Sequence, residues 1–94
     1  MNDSSIKNVH LTIKGKVQGV GFRYSAIRKA REHNIKGFVK NQYDGTVFIE
    51  AEGDETDLDY FIIWCHKGPF SARVDHVNQV PGVIRHHASF IVKH

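Results

Sequence analysis

The sequence predicts an α+β sandwich in which two helices cover one face of an antiparallel sheet. Three observations carry this prediction. Segments with a period of two alternate with segments of helical spacing in the order strand, helix, strand, strand, helix, strand. A glycine-containing turn joins the two middle strands. The length of 94 residues leaves room for one small hydrophobic core.

The first strand and the first helix flank a glycine-rich turn. Val9, Leu11 and Ile13 alternate with polar residues, which is the period of a half-buried strand. Over residues 22–33 the apolar positions recur at helical spacing. Asn34 can end this helix, because asparagine tolerates the left-handed conformation.

The two middle strands are predicted to form a hairpin. Residues 36–40 and 46–52 have strand character, and Tyr43-Asp44-Gly45 between them is a turn in which glycine can supply a positive φ. Val47, Ile49 and Ala51 share one face of the third strand, and the other face carries Phe48, Glu50 and Glu52. Asn41 therefore lies at the end of the second strand.

The second helix and the last strands complete the order. Apolar residues recur every three or four positions over 58–65, after acidic residues that suit a helix N-terminus, and Gly68-Pro69 ends the pattern. Alternation returns at 72–74, breaks near Pro81-Gly82 and resumes at 89–92, so a short fifth strand is expected. The order βαββαβ is the split βαβ arrangement of ferredoxin-like sandwiches.

Size, charge and cysteine content limit the class of protein. We expect a flexible N-terminal segment over residues 1–8 and a single domain over residues 9–94. No apolar run approaches the ~20 residues that span a bilayer, so no membrane partner is expected. The amino end has no signal-peptide pattern and the single Cys65 cannot form an internal disulfide, which favours a cytoplasmic location. The net charge of +3 favours anionic small molecules.

The turn before the first helix has the composition of an anion-binding site. Gly15, Gly19 and Gly21 can adopt positive φ and leave backbone N–H groups uncovered, so that consecutive amides converge on a small oxyanion beside a helix N-terminus. Arg23 follows where the helix begins and adds a planar charged fork that matches phosphate oxygens. A positive charge at that position opposes the helix dipole, which favours a functional reason for the arginine over a surface role.

Two common nucleotide-binding glycine motifs do not fit this turn. A P-loop ends in Gly-Lys followed by serine or threonine, whereas Gly15-Lys16 is followed by Val17. The dinucleotide motif would need a third glycine where Tyr24 stands, together with an acidic ribose ligand after the second strand. Both nucleotide interpretations are therefore excluded.

Two blocks of the sequence resemble the acylphosphatases, small enzymes that hydrolyse carboxyl-phosphate mixed anhydrides. The segment from Ile13 to Arg23 resembles the signature of that family. The second block is similar to the family's other characteristic block and reads Gly37-Phe38-Val39-Lys40-Asn41, then Asp44-Gly45, Val47 and Gly53. The resemblance extends from about Val9 to Val92 and covers nearly the whole chain.

The resemblance implies an activity and a set of site residues. It implies hydrolysis of small acyl phosphates to a carboxylate and inorganic phosphate, by water attack at a phosphate cradle. Arg23 would donate hydrogen bonds to two phosphoryl oxygens, and the carboxamide of Asn41 would orient the attacking water. The backbone N–H groups expected around the phosphoryl group belong to Gln18, Gly19, Val20, Gly21 and Phe22. No metal or other cofactor is expected, because a carboxylate is a good leaving group.

Further expectations concern partners and alternative functions. Inorganic phosphate is expected to be both product and competitive inhibitor, and a monomer is the default state. A non-catalytic module that binds phosphate or an acyl phosphate is the main alternative. RNA binding is compatible with the fold and charge, but the sequence lacks the exposed rings on central strands that stack bases, so nucleic acid is not an expected partner. The seven histidines show no metal-ligand spacing, and Ser25 has no evident base to make it a nucleophile.

Overall fold

The computed structural model describes residues 5–94 and confirms the predicted order of elements. Within that range the elements are β1 (Ile6–Lys16), α1 (Phe22–Glu32), β2 (Lys36–Asn41), β3 (Val47–Asp54), α2 (Glu55–Lys67), β4 (Arg73–Pro81) and β5 (Phe90–Val92). Neither helix in the described range is long and apolar enough to cross a membrane.

The strands form one sheet in the order β4-β1-β3-β2-β5. The pairs β1–β3, β1–β4 and β2–β3 are antiparallel, as predicted for a ferredoxin-like sandwich. The expected fifth strand is present, but β5 pairs with β2 in parallel, so the prediction of a purely antiparallel sheet is wrong for this pair. The reason is the connection after β4, which crosses from one sheet edge to the other and enters β5 at the end where β2 begins.

The first strand begins earlier than the sequence suggested. Ile6, Lys7 and Asn8 pair with Asp54, Gly53 and Glu52 of β3, whereas a flexible segment was expected up to residue 8. These residues are ordered by pairing with the last part of β3, which the local pattern of β1 does not reveal. The part of the expected flexible segment that precedes residue 5 lies outside the described residues.

The buried apolar residues of the described chain form one hydrophobic core between the helices and one face of the sheet. The buried apolar residues of the strands are those with the predicted alternation, including Val9, Leu11 and Ile13 of β1. They pack against one stripe of each helix, formed by Phe22, Ala26, Ala30, Leu58, Phe61 and Cys65. Burial raises the pKa of the Cys65 thiol, which fits its predicted role as a core residue.

The helix ends follow from local residues. Asp54 caps α2, because its carboxylate accepts a hydrogen bond from Thr56 N at 3.0 Å. After α1, Asn34 adopts the expected left-handed conformation with φ 57°. At the start of α1, by contrast, Gly21 is the N-cap and no side chain of the described residues caps the helix.

Candidate active site

The sheet topology brings the predicted site residues to one end of the molecule. Strands β1 and β2 are both antiparallel to β3 and therefore run in the same direction. Because parallel directions place their last residues at the same end of the sheet, the loop after β1 and Asn41 at the end of β2 share that end. We call residues 17–21 between β1 and α1 the anion loop.

The anion loop exposes a row of backbone N–H groups. Gly19 and Gly21 have φ of 74° and 78°, a conformation that favours glycine, and a Cβ added at either position would meet no atom within 4 Å. Glycine is therefore favoured at these two positions by the backbone conformation and not by a lack of space for a side chain. Among residues 5–94, no acceptor binds the N–H groups of the five predicted cradle residues, Gln18, Gly19, Val20, Gly21 and Phe22.

Gly15 has a different role from the loop glycines. It lies within β1 with φ 136°, and a Cβ at this position would lie 2.0 Å from the carbonyl oxygen of Arg73. The β1–β4 register shifts between Lys14 and Gly15, which marks an irregularity of the strand pair. Gly15 therefore has the predicted positive φ, but it lies within β1, where it allows close approach of β4, and it is not part of the anion loop.

Arg23 carries an uncommitted positive charge at the first turn of α1. Its side chain is half-buried, and within the described part of the chain it forms neither an ion pair nor a hydrogen bond. No acidic residue occupies this first turn. The charge and the N–H groups of the helix N-terminus therefore reinforce one another electrostatically, which favours an anion at this position.

Phe22 contributes to the core with its side chain and to the loop with its backbone. Its ring is 1% exposed and lies 5.3 Å from the ring of Trp64, measured between centroids. A Cβ on Gly68 would lie 2.9 Å from the Phe22 ring, so the end of α2 packs closely against it. This packing holds the first turn of α1 in place, and it therefore also fixes the backbone position of Arg23.

Asn41 presents an unpaired acceptor at the end of β2. The alternation of the strand places it on the same face as the buried Val39, which is the face that the helices cover. Its Oδ1 is buried and has no hydrogen-bond partner among residues 5–94. Buried side-chain oxygens without a partner are rare, so this atom is suited to accept a hydrogen bond from a bound water. As a residue, Asn41 lines a cleft together with Gln18, Lys40, Gln42, Tyr43, Asp44 and His94.

The side chain of Gln18 joins the anion loop to the β2–β3 hairpin. Its Nε2 donates hydrogen bonds to the carbonyl oxygens of Gln42 at 2.8 Å and Thr46 at 2.9 Å. The hairpin itself is closed by Asp44, whose carboxylate accepts from Thr46 N at 3.0 Å and Thr46 Oγ1 at 2.6 Å. These hydrogen bonds from Thr46 lower the pKa of Asp44.

Sequence reasoning missed two contacts that hold the anion loop. It included Gln18 for its backbone N–H and not for its side chain, which reaches residues 24 and 28 positions away. It also missed Ser71, whose Oγ donates to the carbonyl oxygen of Val20 at 2.7 Å. Neither contact has a signal in residue spacing, because each depends on two loops that meet only in the folded chain.

Fold and site together define a small α+β domain with an anion-binding loop between its first strand and first helix. Residues 9–91 match the family model described as Acylphosphatase. The chain belongs to the acylphosphatase family.

Named relatives agree with this assignment. The acylphosphatase of Mannheimia succiniciproducens is 52% identical over 67 residues, which are 71% of this chain and 74% of that protein. The structure of an acylphosphatase from Coxiella burnetii superposes with a TM-score of 0.94 at 34% identity, covering 99% of this chain and 98% of that one. HypF from Thermococcus kodakarensis has a TM-score of 0.83 at 38% identity over 94% of this chain but only 12% of its own.

The family establishes the reaction. The protein is a hydrolase that cleaves the carboxyl-phosphate bond of small-molecule acyl phosphates, which confirms the enzyme prediction over the binding-module alternative.

Proposed function

We propose that the anion loop and Arg23 together bind the phosphoryl group of the acyl phosphate. The observation that carries this proposal is the row of N–H groups from Gln18 to Phe22 without an acceptor, directly before a half-buried guanidinium without a partner. Donors that are fixed in place before the reaction stabilise charge on transferred phosphoryl oxygens without reorganisation. Arg23 adds two parallel N–H donors that a lysine cannot supply.

Asn41 is the residue that orients the attacking water in this proposal. Its buried Oδ1 can accept one water hydrogen and so direct a water lone pair toward phosphorus. The new bond forms between the water oxygen and phosphorus, while the bond from phosphorus to the acyl oxygen breaks and its electron pair leaves on the carboxylate. Both water protons end on the phosphate product. The role of Asn41 is positional, because a carboxamide is not a base at neutral pH.

Gln18 is a positioning residue in addition to its place in the cradle. Its two hydrogen bonds fix the anion loop relative to the hairpin that follows Asn41. The distance between bound phosphoryl group and water therefore depends on this carboxamide, and small displacements of reacting atoms reduce rates strongly.

Three finer expectations accompany this mechanism. Inorganic phosphate should compete with substrate, because it presents the same oxygens to the anion loop. A monomer remains the expected state. The cytoplasm remains the expected location, supported by the single cysteine, Cys65, which is buried and unpaired.

Hydrolysis of benzoyl phosphate by the purified protein, with chelator present, tests the proposal. Arg23→Ala and Asn41→Ala should each reduce kcat/KM by about 100-fold or more, the usual effect of removing a transition-state donor. Arg28→Ala is the matched control, because it removes the same charge from an exposed position of the same helix. Turnover of the two site variants within a few-fold of the parent and of Arg28→Ala would refute the assignment of these residues.

A further inference from the structure

The connection between β4 and β5 crosses the sheet face that the helices leave uncovered. We call residues 82–89 the strap. It is close to the sheet at Gly82, where a Cβ would lie 2.1 Å from Asn8 Oδ1 and 2.8 Å from His10 Nε2. Glycine therefore permits the contact between the strap and β1.

One carboxylate holds the middle of the strap. Glu52 of β3 accepts hydrogen bonds from the backbone N–H groups of Arg85 at 2.7 Å and His87 at 3.0 Å. The strap ends are bonded to the sheet through Gly82 N and Ser89 O. Among residues 5–94, no other hydrogen bond ties the strap backbone to the sheet.

A second carboxylate binds the strap through side chains. His87 of the strap contacts Glu50 Oε2, and the Nε of Arg85 lies 3.6 Å from the same oxygen. From β1, His10 Nε2 lies 2.9 Å from Glu50 Oε1. Asn8 joins the two carboxylates by donating to Glu52 at 3.0 Å and to Glu50 at 3.4 Å.

The two carboxylates are kept charged although they are buried. Each glutamate is only 4% exposed. Burial raises the pKa of Glu50, but hydrogen bonds from His87 and Asn8 outweigh it, so the pKa is lowered overall. Burial raises the pKa of Glu52 as well, but hydrogen bonds from Arg85 N, Asn8 and His87 N outweigh it and lower that pKa too.

We propose that the strap is an acid-released clasp: protonation of Glu50 and Glu52 frees residues 82–89 and β5 while the other four strands stay paired. A protonated Glu50 no longer attracts the guanidinium of Arg85 and is a weaker hydrogen-bond acceptor for the rings of His10 and His87. Strand β5 follows the strap directly in the chain and pairs with β2 over only three residues. It is therefore the strand that depends most on the strap for its position. The other strands are paired with one another over six to eight residues per pair.

The direction of the pH dependence follows from the lowered pKa values. A carboxyl group with a lowered pKa in the folded state stabilises that state above its ordinary pKa and loses this effect as pH falls through the lowered value. The clasp is therefore closed at neutral pH and opens only when the pH falls below the ordinary titration range of a glutamate, which is near 4.3. Further charged or titratable groups share a cleft with Glu52: Lys36 of β2, Asp54 and Asp57 beside the start of α2, and His86 of the strap.

Hydrogen–deuterium exchange of the full chain between pH 7 and pH 3 tests the clasp. After correction for intrinsic exchange, peptides over residues 82–92 should lose protection at a higher pH than peptides over 9–16 and 47–53. Glu52→Gln should already reduce strap protection about tenfold at pH 7, because it replaces two charge-assisted hydrogen bonds with neutral ones.

Asp75→Asn is the matched control for this experiment. Asp75 also has a lowered pKa, through its hydrogen bond with Arg73, but it is exposed on β4 and its carboxylate is bonded to Arg73 of the same strand. This variant should leave strap exchange unchanged. Loss of protection by all peptides at one pH, or a Glu52→Gln strap as protected as that of the parent at pH 7, would overturn the proposal. If Glu52→Gln does not fold, the pH series of the parent protein decides by itself.

Discussion

The candidate site residues at one end of the sheet and the two buried carboxylates at the other end differ in their hydrogen bonding. At the anion-loop end, Asn41 Oδ1 and the Arg23 guanidinium have no partner within the described residues. At the strap end, Glu50 and Glu52 are more deeply buried, yet each receives several donors. A buried polar group without a partner destabilises the folded state, whereas a fully bonded one need not. The unpaired Asn41 oxygen and Arg23 guanidinium therefore fit a site built for a ligand, and the bonded carboxylates of Glu50 and Glu52 fit structural support.

The largest effect on activity is expected for a substitution of Arg23 at the anion-loop end. Arg23→Lys keeps the charge but removes the planar fork, so kcat/KM for benzoyl phosphate should fall about 100-fold or more. The thermal midpoint should stay near that of the parent, because Arg23 has no partner within residues 5–94 to lose. Arg28→Lys, at an exposed position of the same helix, is the control. Near-normal turnover of Arg23→Lys would contradict the role given to the guanidinium fork.

Asn41→Ala separates binding from turnover at the same end. We expect kcat to fall about 100-fold with an inhibition constant for inorganic phosphate within a few-fold of the parent, because the water and not the phosphoryl group loses its partner. Removal of an unpaired buried oxygen should not lower the free energy of unfolding by the amount that a bonded group would. Asn78→Ala, at an exposed position of β4, is the control. Weakened phosphate binding with preserved turnover is the opposite result and excludes the water-orienting role.

Glu50→Gln tests the strap end. It should lower the free energy of unfolding by about 2 kcal/mol at pH 7, because it removes the charge that two histidines and Arg85 face. Parent and variant should converge as the pH falls through the lowered pKa of Glu50, because the parent carboxylate then becomes protonated as well. Urea unfolding at several pH values measures this difference. An equal difference at pH 7 and pH 3 would show that the charge of Glu50 does not hold the clasp.

The smallest expected effect concerns the contact that joins anion loop and hairpin. Gln18→Ala removes two hydrogen bonds to carbonyl oxygens and should lower kcat/KM about tenfold, with stability reduced by about 1 kcal/mol. Gln18→Glu is a useful partner variant, because it keeps the size but replaces the donor with an acceptor, and should be at least as impaired. Full activity of both variants would remove Gln18 from the positioning role.

Local sequence determined the elements and much of the candidate site. Alternation and helical spacing are local properties, so they predicted the order of strands and helices, the left-handed Asn34 and the place of Asn41 at the end of β2. The same alternation placed Glu50 and Glu52 on the face opposite the core. The roles of Arg23 and Asn41 came from the family resemblance and remain predictions.

Tertiary structure alone decided the features that join distant segments. The parallel β5, the contact of Gly15 with Arg73, the contacts of Gln18 and Ser71, and the burial of Glu50 and Glu52 beneath the strap have no local signal. Glu52 accepts from residues 33 and 35 positions along the chain. Periodicity reports which face a residue occupies, but it cannot report which distant segment covers that face, because that depends on the path of the chain after β4.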